Sequence, residues 1–574
     1  FFPSSILSLH STGSPVCFKY VCAQIQNESH SMVIPKKTYD YIVVGAGSAG
    51  CVLANRLSED SEISVLLVEA GPEDRSVFLK MPSAFAHAMN SWKYDWNYIG
   101  DPEPYLENRQ LSCPRGRVLG GSSSINAMCF VRGHRLDFDC WAKATGFKNW
   151  SYKNCLPYFK KLETFSGGAS EFRGGSGPVS VIAPHFSNPL CEVFAHASSE
   201  AGYPWNRDTN GEQQEGFGLM DQMIRDGARE SGSTAYLEPV RQRNNLTIAC
   251  GSTIIRVSMK GKCAQGVELR INGSIQFIRS IRETILCAGS INSPKLLMLS
   301  GIGPAQHVNQ LDIEMIHDLP GVGKNLQDHI NVNVRYESLQ PITTTSALKL
   351  HRKALIGLQW LATNRGLGAT NHFEIAGYIK SKQGLTHPDL QLLFMPLLVD
   401  EDGKAPEQDH GFQVALSYLR SNSRGHIKLK SKDPDTPPSI VFNYLEAQQD
   451  YTALRAGIEK TREIFNTAAF RSYLGKELAP GESVTDANQF DHFIKNTLRS
   501  TKHPCGTCKM GSDTESVVDD QGKVHGVDQL RVVDASIMPH ITTGNTNAPT
   551  IMLAEKIADM VRGRSPLPSE NIVP

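Results

Sequence analysis

Apolar positions come in short dense runs, and glycine separates them. YDYIVVG (39–45) is a β-branched run of the kind a buried parallel strand requires. SAGCVLANRLSED (48–60) follows with helical spacing, and SVLLVEAG (64–71) is a second buried strand. Strand, glycine turn, helix and strand in this order make a βαβ unit. ETILCAG (283–289) and LRVVDAS (530–536) predict two more buried strands. SPKLLMLSG (293–301) and APTIMLAEKIADMV (548–561) predict helices, the second with Pro549 in its first turn. Residues 101–135 are rich in Gly, Pro, Arg and Ser and predict loop with short helices. Between 346 and 500 the pattern changes to longer amphipathic stretches alternating with strands such as DLQLLFMP and GFQVALSYL.

The glycine turn is Gly45-Ala46-Gly47-Ser48-Ala49-Gly50, a G-x-G-x-x-G placed between a strand and a helix. Gly45 makes the tight turn, Gly47 lets the backbone approach a pyrophosphate, and Gly50 lets the helix pack on the strand. The helix start at Ser48 and Ala49 offers free amides and partial positive charge to phosphates. Glu69 ends the second strand 19 residues after Gly50, where a carboxylate accepts hydrogen bonds from ribose hydroxyls. These features predict dinucleotide binding and leave NAD and FAD both open.

Composition narrows the class. Lys plus Arg equals Asp plus Glu at 58 each, so no net basic charge argues for nucleic acid. Thirteen scattered cysteines fit reduced thiols and a cytoplasmic protein better than a disulfide framework. No apolar run reaches the ~18 residues of a spanning helix. Residues 1–37 read as a disordered tail or an upstream extension. Cys505-Gly-Thr-Cys508 has no second pair spaced for a structural metal, so no metal site is expected.

RGRVLGGSSSINAMCFVRG (115–133) and GSINSPKLLMLSGIG (289–303) resemble the two signature segments of the glucose–methanol–choline (GMC) oxidoreductase family. HPCGTCKMG (503–511) and LRVVDASIMPHITTGNTNAPT (530–550) resemble it too, so the likeness runs from Tyr39 to the final helix. Within the family it points to choline dehydrogenases and aliphatic alcohol dehydrogenases. The resemblance implies FAD rather than NAD. It implies an α/β fold: a Rossmann-type FAD-binding domain (38–190, 230–345 and 500–574) carrying an inserted α+β substrate-binding domain (191–229 and 346–499). It assigns Leu119, Gly120, Gly121, Ser124, Asn126, Ala127 and Met128 to the cofactor, with Asp534, Ala535, Asn545 and Thr546. Some family oxidases attach FAD through a His just before the matching Asn; Ile125 stands here, which implies non-covalent FAD.

The implied chemistry is oxidation of a primary alcohol to an aldehyde, with hydride passing to flavin N5. His503 matches the family's catalytic histidine and is the expected base. Asn547 is the expected partner that orients the alkoxide oxygen. Glu374, in NHFE (371–374), stands where choline-oxidising relatives carry a glutamate near the substrate. Leu393 stands where relatives commonly carry a His, which shifts weight toward a less polar alcohol. The expected acceptor is a quinone or another carrier; with a quinone, peripheral contact at the inner membrane follows. An oxygen-using oxidase, a lyase on the same flavin fold and an FAD protein without turnover are the competing readings.

Overall fold

The computed structural model describes residues 34–399 and 410–571. Residues 1–33 of the expected tail lie outside the described residues. Strand Thr38–Val44 sits at the centre of a seven-stranded sheet and is buried on both faces, as its unbroken β-branched run requires. It pairs in parallel with Val65–Val68 on one side and with Ser274–Leu286 on the other. Leu246–Ala249 extends the parallel sheet beyond Val65–Val68. Ser274–Leu286 serves two partners. Its first half closes an antiparallel meander with Cys263–Ile271 and Thr253–Lys260, and its last residues pair in parallel with Leu530–Val532. The parallel strands therefore end together, at Val44, Val68, Leu286 and Val532. Helices Ser48–Leu57 and Gly289–Leu299 start at that edge, and Asn547–Val561 packs against the first of them.

A second, antiparallel sheet follows the order Leu474–Ala479, Ile330–Ser338, Gly411–Tyr418, Leu390–Met395, Ile375–Ile379, Gly216–Leu219. Strand Ile330–Ser338 belongs to this sheet, although the expected boundary at 345 put it in the nucleotide unit. Its partners are Gly411–Tyr418 and Leu474–Ala479, pairings that local periodicity does not carry. One face of the sheet packs on helices Pro189–Glu200 and Gln448–Phe465 through a cluster of aromatic rings. Phe194 stacks on Phe394 at 4.4 Å, with Phe412, Phe465 and Phe470 around them. Strand periodicity turns the alternate residues to the opposite face. Leu390, Leu392 and Phe394 fill the core, while Gln391, Leu393 and Met395 face a cavity between the two sheets. Among the described residues no helix is long and apolar enough to cross a membrane.

Candidate active site

The cavity has a volume of about 1340 Å³ and runs from the glycine turn to the face of the antiparallel sheet. At the nucleotide end it is lined by Gly45, Gly47, Ser48, Ala49 and Glu69, then by Gly121, Asn126, Ala127 and Met128. Asp534, Ala535, Asn545, Thr546 and Asn547 complete this wall. Gly50 lies behind it: a Cβ there would fall 1.9 Å from the Gly45 carbonyl, so the residue serves close packing of helix on strand. Gly121 has φ +55°, and a Cβ would meet Gly47 Cα at 2.6 Å, so the two glycine loops touch backbone to backbone. Leu119, Gly120 and Ser124, expected at the cofactor, do not line the cavity. Leu119 is fully buried, the Gly120 amide donates to Ala46 O at 2.8 Å, and Ser124 Oγ donates to Leu119 O at 2.7 Å. They shape the loop that presents their neighbours.

These residues fit a dinucleotide. The Cβ position of Gly47 faces open cavity, with Cys287 O at 4.0 Å the nearest atom. The first-turn amides of helix Ser48–Leu57 have no intrahelical acceptor. Arg117 lines the same space with its guanidinium 5.3 Å from the centroid of the Trp96 ring, a positive charge that suits an anionic ligand. Glu69 accepts from the amides of Ala46 (3.0 Å) and Gly71 (2.8 Å), and burial raises its carboxyl to about 7. Asp534 accepts from Ser293 Oγ (2.5 Å) and the Gly289 amide (2.8 Å), which ties the end of strand Leu530–Val532 to the start of helix Gly289–Leu299.

His503 lies at the junction of the two sheets. Its backbone amide donates to Asp328 at 2.7 Å, and the same buried carboxylate accepts from the His329 amide (2.9 Å), Tyr444 Oη (2.7 Å) and Ser500 Oγ (2.5 Å). Gln327 and Cys505 exchange backbone hydrogen bonds at 3.0 Å, so the segment before His329 is zipped to the segment after His503. Thr501 Oγ1 donates to His329 O at 3.1 Å, which leaves its lone pairs for His503 Nδ1 at 3.0 Å. His329 Nδ1 is also 3.0 Å from His503 Nδ1. This network assigns the proton to His503 Nδ1 and the lone pair to Nε2. Burial, with His329, Arg115 and Lys502 nearby, pushes His503 well below the ordinary imidazole range, so the ring is neutral at physiological pH.

The partner of that lone pair is Asn545, whose Nδ2 lies 3.1 Å from His503 Nε2. Asn547, the expected partner, faces elsewhere. Its Oδ1 accepts from Ser48 Oγ at 2.6 Å and its Nδ2 meets Met223 Sδ, beside the glycine turn. Of the two asparagines it is Asn545, not Asn547, that hydrogen-bonds His503, while both line the cavity. Glu374 also departs from expectation. It is buried outside the cavity, where it accepts from Ser187 N (2.7 Å) and Ser187 Oγ (2.5 Å). Its neighbour Phe373 lines the cavity instead, near Phe85 at 5.9 Å between ring centroids. Leu393 does face the cavity, flanked in register by Ala415.

Two family patterns of the GMC oxidoreductases match the chain, one over residues 39–331 and the other over 421–554. The chain belongs to the GMC oxidoreductase family. As a GMC oxidoreductase it uses FAD and oxidises the CH–OH group of an alcohol to the aldehyde. The chain is 47% identical to an oxygen-dependent choline dehydrogenase of Chromohalobacter salexigens over 538 residues, which covers 93% of this chain and 96% of that protein. It is 49% identical to an oxygen-dependent choline dehydrogenase of Pseudomonas aeruginosa over 536 residues, covering 92% and 96%. Among solved structures it resembles pyridoxine 4-oxidase from Mesorbium loti, with a TM-score of 0.84, 30% identity and coverage of 92% and 100%. It also resembles formate oxidase of Aspergillus oryzae, with a TM-score of 0.87, 26% identity and coverage of 92% and 99%.

Sequence reasoning passed over Asp328, His329 and Thr501. A signal was present: Gln-Asp-His (327–329) directly precedes a strand whose alternate residues Asn331 and Asn333 face the cavity.

Proposed function

We propose that this chain oxidises choline, or a primary alcohol of similar size, to the aldehyde, with FAD bound non-covalently. The observation that carries the reading is the His503–Asn545 pair, a lone pair and a donor aimed at one another across 3.1 Å at the cavity wall. An alcohol oxygen seated against both gives its proton to His503 Nε2 and accepts from Asn545 Nδ2 as negative charge develops on it. Thr501 Oγ1 and His329 Nδ1 lie within hydrogen-bond reach of the Nδ1–H and hold the ring as Nε2 gains its proton. Bound FAD supplies the acceptor for the α-hydride. Ile125, buried beside Asn126, has no atom able to attach a flavin, which supports the non-covalent state.

Choline is supported by the names of the relatives at 47% and 49% identity. The faces of Phe85 and Phe373 suit a quaternary ammonium. Glu374 is committed to Ser187, so the cation would be held without that carboxylate. The acceptor belongs to the same proposal. The words "oxygen-dependent" in the relatives' names support electron delivery toward oxygen, and the apolar lining away from His503 supports a lipid-soluble carrier of quinone type. A quinone would place this enzyme in peripheral contact with a membrane.

Purified holoenzyme assayed with choline, medium-chain and aromatic alcohols, in an oxygen electrode and by dye reduction, tests the reading. Choline is expected to give the highest kcat/KM, with dye or quinone reduced faster than oxygen. Failure of every alcohol in the panel to reduce the flavin would overturn it.

A further inference from the structure

Four arginines of the described chain are fully buried, and three of them are paired. Arg132 and Arg173 share the Glu163 carboxylate, Arg173 also meets Asp221 at 2.8 Å, and Arg531 meets Glu283 at 2.5 Å. The fourth is Arg229, 4% exposed, which makes no ion pair among the described residues. The Glu230 carboxylate beside it is held by Arg225 at 2.9 Å.

The hydrogen bonds of Arg229 go to neutral acceptors. Nε donates to Leu79 O at 2.9 Å. Nη1 donates to Asn126 O (2.6 Å), Asn126 Oδ1 (2.8 Å) and Ser123 O (3.2 Å). Nη2 is buried with no acceptor. Burial brings the guanidinium down to about 9, so the charge is still present at physiological pH. A buried cation without a counter-charge is costly, and such groups cluster at functional sites.

Its place says which ligand it serves. Arg229 does not line the cavity; it sits behind the loop 121–128. Gly121 of that loop touches the glycine turn at Gly47, and Asn126, Ala127 and Met128 line the cavity. Asn126 Oδ1 accepts from Arg229 and from the Met128 amide at 3.0 Å, so Nδ2 is the end of the amide left for the cavity. The Gly232 amide donates to Ser123 Oγ at 2.8 Å, which fastens the segment after Arg229 to the same loop. Oxidation of an alcohol sends the hydroxyl proton to His503 and the α-hydrogen, as hydride with its two electrons, to the flavin. The cofactor side of the wall therefore gains one negative charge.

We infer that Arg229 is a positioning residue for the flavin: it fixes the Asn126 amide with its N–H toward the cofactor and holds, behind the loop, the positive charge that meets the charge delivered by hydride. The inference rests on the FAD reading above, and it makes the reduced cofactor the counter-charge that the protein lacks. Its consequence is a raised reduction potential of the bound flavin.

The test is the two-electron potential of FAD in purified holoenzyme, titrated against a reference dye without alcohol, in wild type, Arg229→Met and Arg229→Lys. Loss of one unit charge behind the loop should lower the equilibrium constant for reduction ~10–100-fold, which is ~30–60 mV for a two-electron couple. Arg229→Lys keeps a cation and should recover at least half of the shift. An arginine with a structural role alone would cost melting temperature or FAD content and leave the potential of the retained flavin unchanged. Flavin-loaded Arg229→Met at the wild-type potential would therefore overturn the inference, as would a shift that Arg229→Lys does not reduce. If Arg229→Met loses its FAD, Asn126→Asp decides. That variant keeps both hydrogen bonds to Oδ1 and gives Arg229 a carboxylate, so it should melt at or above the wild-type temperature with a lowered potential. A lower melting temperature or a wild-type potential there would overturn the inference. The titration uses no alcohol, so failure here and failure of the proposed substrate are separable.

Discussion

Replacing each of the two asparagines in the GNTN segment separates the geometry from the motif. Asn545 Nδ2 is the side-chain donor 3.1 Å from His503 Nε2, and an alcohol oxygen seated beside the pair gains one hydrogen bond from it that strengthens as its proton leaves. Removal of a single donor aimed at developing negative charge costs about 3–4 kcal/mol of transition-state stabilisation, or ~10²–10³ in kcat. Asn545→Ala is therefore expected to slow flavin reduction by that factor with FAD retained. Asn545→Asp should do at least as badly, because a carboxylate accepts where a donor is needed and repels the forming charge. Asn547 makes no hydrogen bond to His503; its Oδ1 holds Ser48 Oγ at 2.6 Å at the start of the glycine-turn helix. Asn547→Ala should change kcat by less than ~10-fold and weaken FAD retention by the value of about one hydrogen bond, ~1 kcal/mol. Anaerobic stopped-flow at the flavin band measures the first quantity, and the flavin-to-protein absorbance ratio after gel filtration measures the second. A 100-fold slower Asn547→Ala enzyme with full FAD, beside a near-normal Asn545→Ala enzyme, would refute the assignment.

Three further outcomes are expected. Since His503 is held well below the usual imidazole range, kcat/KM should stay level as pH falls through ~6.5 and decline only in more acid solution; a decline centred at or above 6.5 would contradict the depressed value. Burial holds His329 at about 3, so the folded state stays neutral there while the unfolded chain binds a proton below 6.5, and stability should fall by ~1.4 kcal/mol per pH unit from 6.5 toward 3 on its account. Urea denaturation across that window should show a slope shallower by this amount in His329→Asn. Gly121→Ala would force a Cβ to 2.6 Å from Gly47 Cα at φ +55°, and it should yield protein with little or no FAD, read from the flavin band.

Much of the nucleotide half is legible in the chain because its information is local. Strand Thr38–Val44, the glycine turn, Glu69 and the strand ending near Asp534 each announce themselves by periodicity and spacing, and the parallel sheet collects their ends at one edge. The substrate side is less legible because its information is long-range. Strand Ile330–Ser338 looks like a continuation of the first unit until its partners some 80 and 140 residues onward are known. Neighbouring positions are the hardest. Phe373 and Glu374 precede a strand, so one turns into the cavity and the other away from it. Asn545 and Asn547 are two residues apart at a helix start. Asn547 opens the helix and turns to Ser48, while Asn545 is still in the preceding loop and reaches His503. No spacing rule distinguishes them, and the contact with His503 does.

Anaerobic single-turnover reduction of the bound flavin by choline, in wild type and in His503→Ala, tests the central claim most directly. The account predicts that wild type bleaches the flavin band promptly, while the variant keeps its FAD and bleaches ~10²–10⁴ times more slowly. Bleaching at the wild-type rate in a flavin-loaded His503→Ala enzyme would contradict it.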